Sequence, residues 1–123
     1  MQVVWIVDDD DEMSHAIKLM LQLLDFSVKI FRDAKSTARQ LMSGDRPDAI
    51  LLDINMPEVS GIDFLEFLSM RSELKEIPVV MLSSETTDIQ VDEAMELGAD
   101  GFIFKPVTID ELEEAINRAM KKL

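Results

Sequence analysis

The sequence predicts an α/β domain with three layers, a doubly wound five-stranded parallel sheet between helices on both faces. Two observations carry this. Short apolar runs alternate strictly with stretches of helical periodicity, which calls for right-handed strand–helix–strand crossovers. Three of the runs are continuously apolar, as strands buried on both faces must be. The 123 residues are 47% hydrophobic and 30% charged, without linker, repeat or low-complexity tract, so one domain spanning residues 1–123 is expected, with no output domain attached.

The first strand is Val3–Val7, apolar throughout. Met13, Ala16, Ile17, Met20, Leu21 and Leu24 then recur at helical spacing. Asp11 is the expected N-cap of that helix. Leu19 and Leu23 flank the stripe and read as a widening of its core face. "FSVKIF" (Phe26–Phe31) alternates and predicts a more exposed strand. Ala34, Ala38, Leu41 and Met42 mark a second helix, ended by Gly44. "AILLDI" (Ala49–Ile54) is the next buried strand. Phe64, Leu65 and Leu68 mark the third helix, and "IPVVMLS" (Ile77–Ser83) the third buried strand. Ile89 to Leu97 reads as a less regular helix stopped by Gly98. "GFIF" (Gly101–Phe104) is a short fifth strand. The last helix opens with the capping box Thr108-Ile-Asp-Glu111 and turns Ile109, Leu112, Ile116, Ala119 and Leu123 inward. The three most apolar strands belong at the centre of the sheet. Trp5 and most of the nine methionines read as core; His15 lies off the apolar stripe and reads as exposed.

Composition narrows the function. With no cysteine, disulfides, thiol chemistry and zinc–thiolate sites are excluded. A net charge of −13 repels phosphate backbones, so direct nucleic-acid binding is not expected. No apolar run reaches the ~20 residues of a membrane span, and the short apolar start has no charged leader, so a cytoplasmic location without membrane contact is expected.

In open parallel sheets the active crevice lies beyond the carboxyl ends of the strands. There the sequence places Asp8-Asp9-Asp10-Asp11, Asp53 with Asn55-Met56-Pro57, Ser83-Ser84-Glu85 and Lys105-Pro106. If Asp8, Asp9, Asp53, Ser83 and Lys105 converge, three carboxylates face one lysine. A hard dication with oxygen ligands, Mg²⁺ above all, would neutralise the excess. Asp10, Asp11 and Glu12 need no metal, because a helix N-terminus favours negative charge. A carboxylate beside such a dication, a lysine and a hydroxyl is equipped to accept a phosphoryl group.

"VDDD", "LLDINMPEVSG" (Leu51–Gly61), "VVMLSSE" (Val79–Glu85) and "GADGFIFKP" (Gly98–Pro106) together resemble a response-regulator receiver domain of two-component signalling, in the CheY-like superfamily. The likeness covers essentially the whole chain, with the motifs in order and at the right intervals. It implies the flavodoxin-like strand order 2-1-3-4-5. It implies that Asp53 is the phosphoacceptor, that Asp9 binds Mg²⁺ (or Mn²⁺) directly and Asp8 through water, and that Asn55 adds a backbone carbonyl. Lys105 then pairs with the acceptor and later with its phosphate, next to a Pro106 whose peptide bond is commonly cis. Ser83 is the switch hydroxyl and Phe102 the switch aromatic. Asn55 and Glu85 tune the lifetime of the phosphoryl group, and Pro57 and Gly61 shape the loop after the acceptor. Many relatives carry Thr and Tyr where this chain has Ser83 and Phe102.

The resemblance implies a histidine kinase or histidine phosphotransfer protein as phosphodonor. It implies a response on the face made by the fourth helix, fifth strand and fifth helix, which would bind a protein output partner or a fused output domain, as a monomer or weak dimer. Ala115 and Asn117 stand where dimerising transcription factors of this kind carry basic residues. Two other readings compete. A Mg²⁺-dependent aspartate-nucleophile phosphatase would need a second acid two residues after its nucleophile, where this chain has Asn55, and usually a cap domain. A phosphorylation-independent scaffold of the same fold would usually have lost part of the acid set.

Overall fold

In a computed structural model, which describes residues 1–84 and 88–121, five strands alternate with five helices. In chain order they are β1 (Val3–Val7), α1 (Asp11–Leu23), β2 (Ser27–Phe31), α2 (Ala34–Met42), β3 (Ala49–Asp53), α3 (Gly61–Ser69), β4 (Val79–Ser83), α4 (Asp88–Glu96), β5 (Gly101–Phe104) and α5 (Ile109–Met120). Every pairing is parallel and the strand order is β2-β1-β3-β4-β5. The three continuously apolar runs are therefore the three inner strands. β3 and β4 are buried from end to end, while β2, on the edge, buries only Phe31 fully.

The sheet divides the core in two. On one face Trp5, Ile50, Leu52 and Met81 pack with Leu41 of α2, Phe64 and Leu68 of α3 and Ala94 of α4. On the other, Ile6, Leu51 and Leu82 meet Ile17 and Leu21 of α1 and Leu112 and Ile116 of α5. Alternate residues of each inner strand feed the two clusters, which fixes the register: a slip of one residue would exchange them.

Helix starts follow local chemistry. Asp33, Ser60 and Thr108 each accept a hydrogen bond from a backbone N–H one turn on, at Ser36, Asp63 and Glu111. The cap of α1 is Asp10, not Asp11. Asp10 is extended (φ −86°, ψ 105°), accepts from the Met13 N–H at 3.1 Å, and its carbonyl takes the first helical bond from Ser14. Asp11 becomes the first helical residue. Four aspartates in a row offer the same side chain at each position, and only the backbone geometry chooses among them.

Three other expectations are corrected. Leu19 and Leu23 are exposed, at 50% and 76%. Each lies two residues beyond a buried position, Ile17 and Leu21, and so about 200° round the helix. Ala16 is exposed as well, and Ser14 takes a buried place on that face. Of the nine methionines only Met56 and Met81 are buried, while Met1, Met42, Met70 and Met95 are exposed. His15 is exposed and Trp5 buried, as read from the sequence. The inward placement of Leu123 lies outside the described residues, as does Glu85.

Candidate functional site

The parallel order brings the ends of β1, β3, β4 and β5 side by side. Asp8 follows β1 directly, and Asp53 and Ser83 are the last residues of β3 and β4. Lys105 follows β5, and its N–H donates to the Ser83 carbonyl at 2.8 Å. The Lys105–Pro106 peptide bond is cis.

The side chains converge. The Lys105 ammonium donates to Asp8 at 3.1 Å and to Asp53 at 3.2 Å. Both carboxylates are buried and the lysine is nearly so. The second oxygen of Asp8 accepts from the Asp10 N–H at 3.0 Å, which fixes that carboxylate and begins the turn into α1. Asp9 is half-buried, and it can bring a carboxylate oxygen within 4.8 Å of oxygens from both Asp8 and Asp53. Ser83 is fully buried. Asn55 is exposed just past β3, and Phe102 is half-buried against the cluster that contains α3 and α4.

The charges do not balance: three carboxylates share one ammonium. Burial, and then the Asp8 charge, push the Asp53 carboxyl up from 3.8 to about 6, although Lys105 pulls it down. Burial pulls the Lys105 ammonium down, but the charges of Asp53 and Asp8 outweigh it and hold it above its ordinary value of 10.5. The Asp53 carboxylate thus stands in a site that lacks positive charge. The donors are all hard oxygens, which suits a small dication and not a soft one.

Two features escaped the reading of the residues alone. The lysine bridges Asp8 as well as Asp53; Asp8 is its second anchor. Gly61, the first residue of α3, is pressed against the end of β3. A Cβ there would lie 2.1 Å from the Asp53 carbonyl oxygen and 2.8 Å from the Ile54 Cα. The Gly61 N–H donates to the Ile54 carbonyl at 2.8 Å, so this contact clamps the loop after β3. The signal was a lone glycine at a helix start, which marks a close backbone approach as readily as a turn.

Residues 4–117 match the response regulator receiver domain family. The chain belongs to that family. It is 32% identical over 120 residues to the chemotaxis protein CheY of Pseudomonas aeruginosa, covering 98% of this chain and 97% of that one. Its fold superposes on the chemotaxis protein CheY4 of Vibrio cholerae with a TM-score of 0.86 at 29% identity, over 97% and 98% of the two chains. It superposes on the Mn²⁺-bound form of response regulator Rcp1 with a TM-score of 0.81 at 26% identity, over 94% of this chain and 89% of that one. The receiver domain is a module of two-component signalling, and the predicted fold and strand order stand. Among the described residues no helix is long and apolar enough to cross a membrane.

Proposed function

We propose that this receiver domain is a phosphorylation-controlled switch in which Asp53 accepts a phosphoryl group from a histidine kinase or histidine phosphotransfer protein. The observation that carries this is the bridge from Lys105 to Asp8 and Asp53 at 3.1 and 3.2 Å, in a buried site with two negative charges in excess. Asp8, Asp9 and Asp53, with the Asn55 backbone carbonyl, would hold Mg²⁺ (or Mn²⁺), which when bound would compensate the phosphoryl oxygens.

This chain's own residues do the rest. An Asp53 carboxylate oxygen attacks phosphorus. The donor's phosphorus–nitrogen bond breaks, its electron pair stays on the imidazole, and an oxygen–phosphorus bond forms. Lys105 is held over Asp53 by Asp8, so its charge is already in place when the phosphoryl oxygens arrive. Asp53 must be ionised to attack; without metal its carboxyl stands at about 6, and a bound dication would pull it down. In the phosphorylated state the Ser83 hydroxyl donates to the phosphoryl group, β4 and α4 adjust, and Phe102 moves inward. That biases a two-state equilibrium on the α4–β5–α5 face and so its binding of an output partner. Asn55, close in sequence to the acceptor, and Glu85 would guide an attacking water, which gives the acyl phosphate a lifetime well short of days at neutral pH.

Beryllofluoride mimics an acyl phosphate and tests the switch without a kinase. With Mg²⁺ it should shift backbone amide resonances along β4, α4 and β5 in wild type and leave Asp53→Asn unchanged. Shifts confined to the Asp8–Asp53 surroundings would remove the switch from this account. Identical responses in both proteins would remove the acceptor.

A further inference from the structure

Away from the phosphoacceptor site, an open groove of about 620 Å³ lies between α2 and α3. Its α2 wall is Lys35, Ala38, Arg39 and Met42, at i, i+3, i+4 and i+7 on one helix face. Its α3 wall is Phe67 and, just past the helix, Arg71. An apolar extension of about 170 Å³ runs on from Lys35, Ala38 and Phe67. The groove thus has an apolar floor and a rim of three cations. Met42 is 56% exposed on it, an apolar side chain only partly covered by its own fold.

Along the α2 wall the charge runs against the rest of the molecule, although Asp63 of α3 lines the apolar extension. Counting Lys and Arg against Asp and Glu, α2 carries +2, whereas α1, α3, α4 and α5 carry −1, −2, −4 and −3. On a chain of net charge −13 the one basic helix borders this apolar groove. The rim cations are loosely held. Lys35 pairs with Glu58 at 3.0 Å and Arg71 with Glu73 at 3.7 Å, both exposed pairs of the kind that exchange partners at little cost. The Arg71 guanidinium also lies over the Phe67 ring at 4.8 Å, keeping charge and apolar surface together.

We propose that the α2–α3 groove is a docking site for an acidic amphipathic helix of a partner protein. Two helices side by side form the cleft into which a third lays its apolar stripe. The flanking acids of such a helix would reach Lys35, Arg39 and Arg71. A basic helix would meet like charge at the rim. This surface is distinct from the α4–β5–α5 face and does not depend on Asp53 being an acceptor.

The test uses the whole protein and two synthetic helical peptides with the same leucine stripe, one with glutamate at the flanking positions and one with lysine. Amide chemical shifts locate binding and titration gives affinity at low and high salt. The glutamate peptide should shift α2 and α3 resonances and weaken at least tenfold in Arg39→Glu/Arg71→Glu, and also with added salt. Met42→Glu, an exposed change with little effect on folding, should weaken it too. The lysine peptide should not bind there. Four outcomes overturn the proposal: no binding at millimolar peptide, shifts centred on α4–β5–α5, equal binding of both peptides, or concentration-dependent shifts in the groove without peptide, which would make a second copy the occupant.

Discussion

Replacing Asp53 by asparagine should make the metal-free protein more stable at neutral pH. The amide would keep the shape and an oxygen for Lys105, but remove one of three crowded negative charges. The Asp53 carboxyl stands at about 6 in the fold against an ordinary 3.8. Below 3.8 it is neutral in folded and unfolded chains alike and contributes nothing to the difference. Between 3.8 and 6 the unfolded chain ionises first, so wild-type stability falls as pH rises through this window. Above 6 the loss is complete. The gap converts to ~3 kcal/mol. Solvent screening at this strand-end site reduces that figure, so a net gain of about 1–2 kcal/mol is expected. For a domain of this size that is a rise of roughly 4–8 °C in melting temperature. The assay is thermal and urea unfolding of both proteins with EDTA, from about pH 4 to 8. The gain should be near zero at the acid end, grow until Asp53 is fully ionised and then hold level. Added Mg²⁺ should close the gap, because it stabilises the folded form with the fuller ligand set. A variant less stable than wild type at neutral pH, or a difference independent of pH, would refute the charge assignment at this site.

Other changes test the surrounding structure. Gly61→Ala should cost about 2–4 kcal/mol in urea unfolding, since its Cβ would sit 2.1 Å from the Asp53 carbonyl oxygen and backbone must move. The same variant should accept phosphoryl groups poorly. Lys105→Ala should cost about 2–4 kcal/mol at neutral pH, by leaving buried Asp8 and Asp53 without a counter-charge. That cost should shrink as pH falls towards about 6 and then level off, because without Lys105 the Asp53 carboxyl takes up its proton at a higher pH than in wild type. Asp10→Ala and Asp33→Ala should each lose ~1 kcal/mol as helix caps, whereas Asp11→Ala should change stability by only a few tenths.

The fold was legible because the sheet is parallel. Buried parallel strands leave unbroken apolar runs, and "VVWIV", "AILLDI" and "IPVVMLS" announced the three inner strands without any knowledge of the order. The alternating "FSVKIF" announced a more exposed strand, which lies on the edge. The meeting of Asp8, Asp53 and Lys105 was legible because a parallel sheet sends the end of every strand to one rim. Finer points rest on information the residues alone do not carry. The cap of α1 is a choice among identical aspartates, made by φ and ψ. Leu19 and Leu23 are ordinary leucines whose exposure follows from the phase of α1 against β1 and β3. The exposed methionines show that an unbranched apolar side chain is a weak sign of burial. The tie between Lys105 and Asp8 needs distances, and the α2–α3 groove needs two helices that are far apart in sequence to be seen together.

The central claim is that Asp53 accepts a phosphoryl group with the help of a bound dication and Lys105. Intact-protein mass after incubation with Mg²⁺ and acetyl phosphate tests it most directly, in wild type, Asp53→Asn and Lys105→Ala, with a purified histidine kinase or phosphotransfer protein as a second donor. The account predicts the gain of one phosphoryl group in wild type, none in Asp53→Asn, a much reduced yield in Lys105→Ala, and loss of the gain with EDTA. A wild-type protein that takes up no phosphoryl group from either donor, or an Asp53→Asn variant that takes one up as readily, would contradict it.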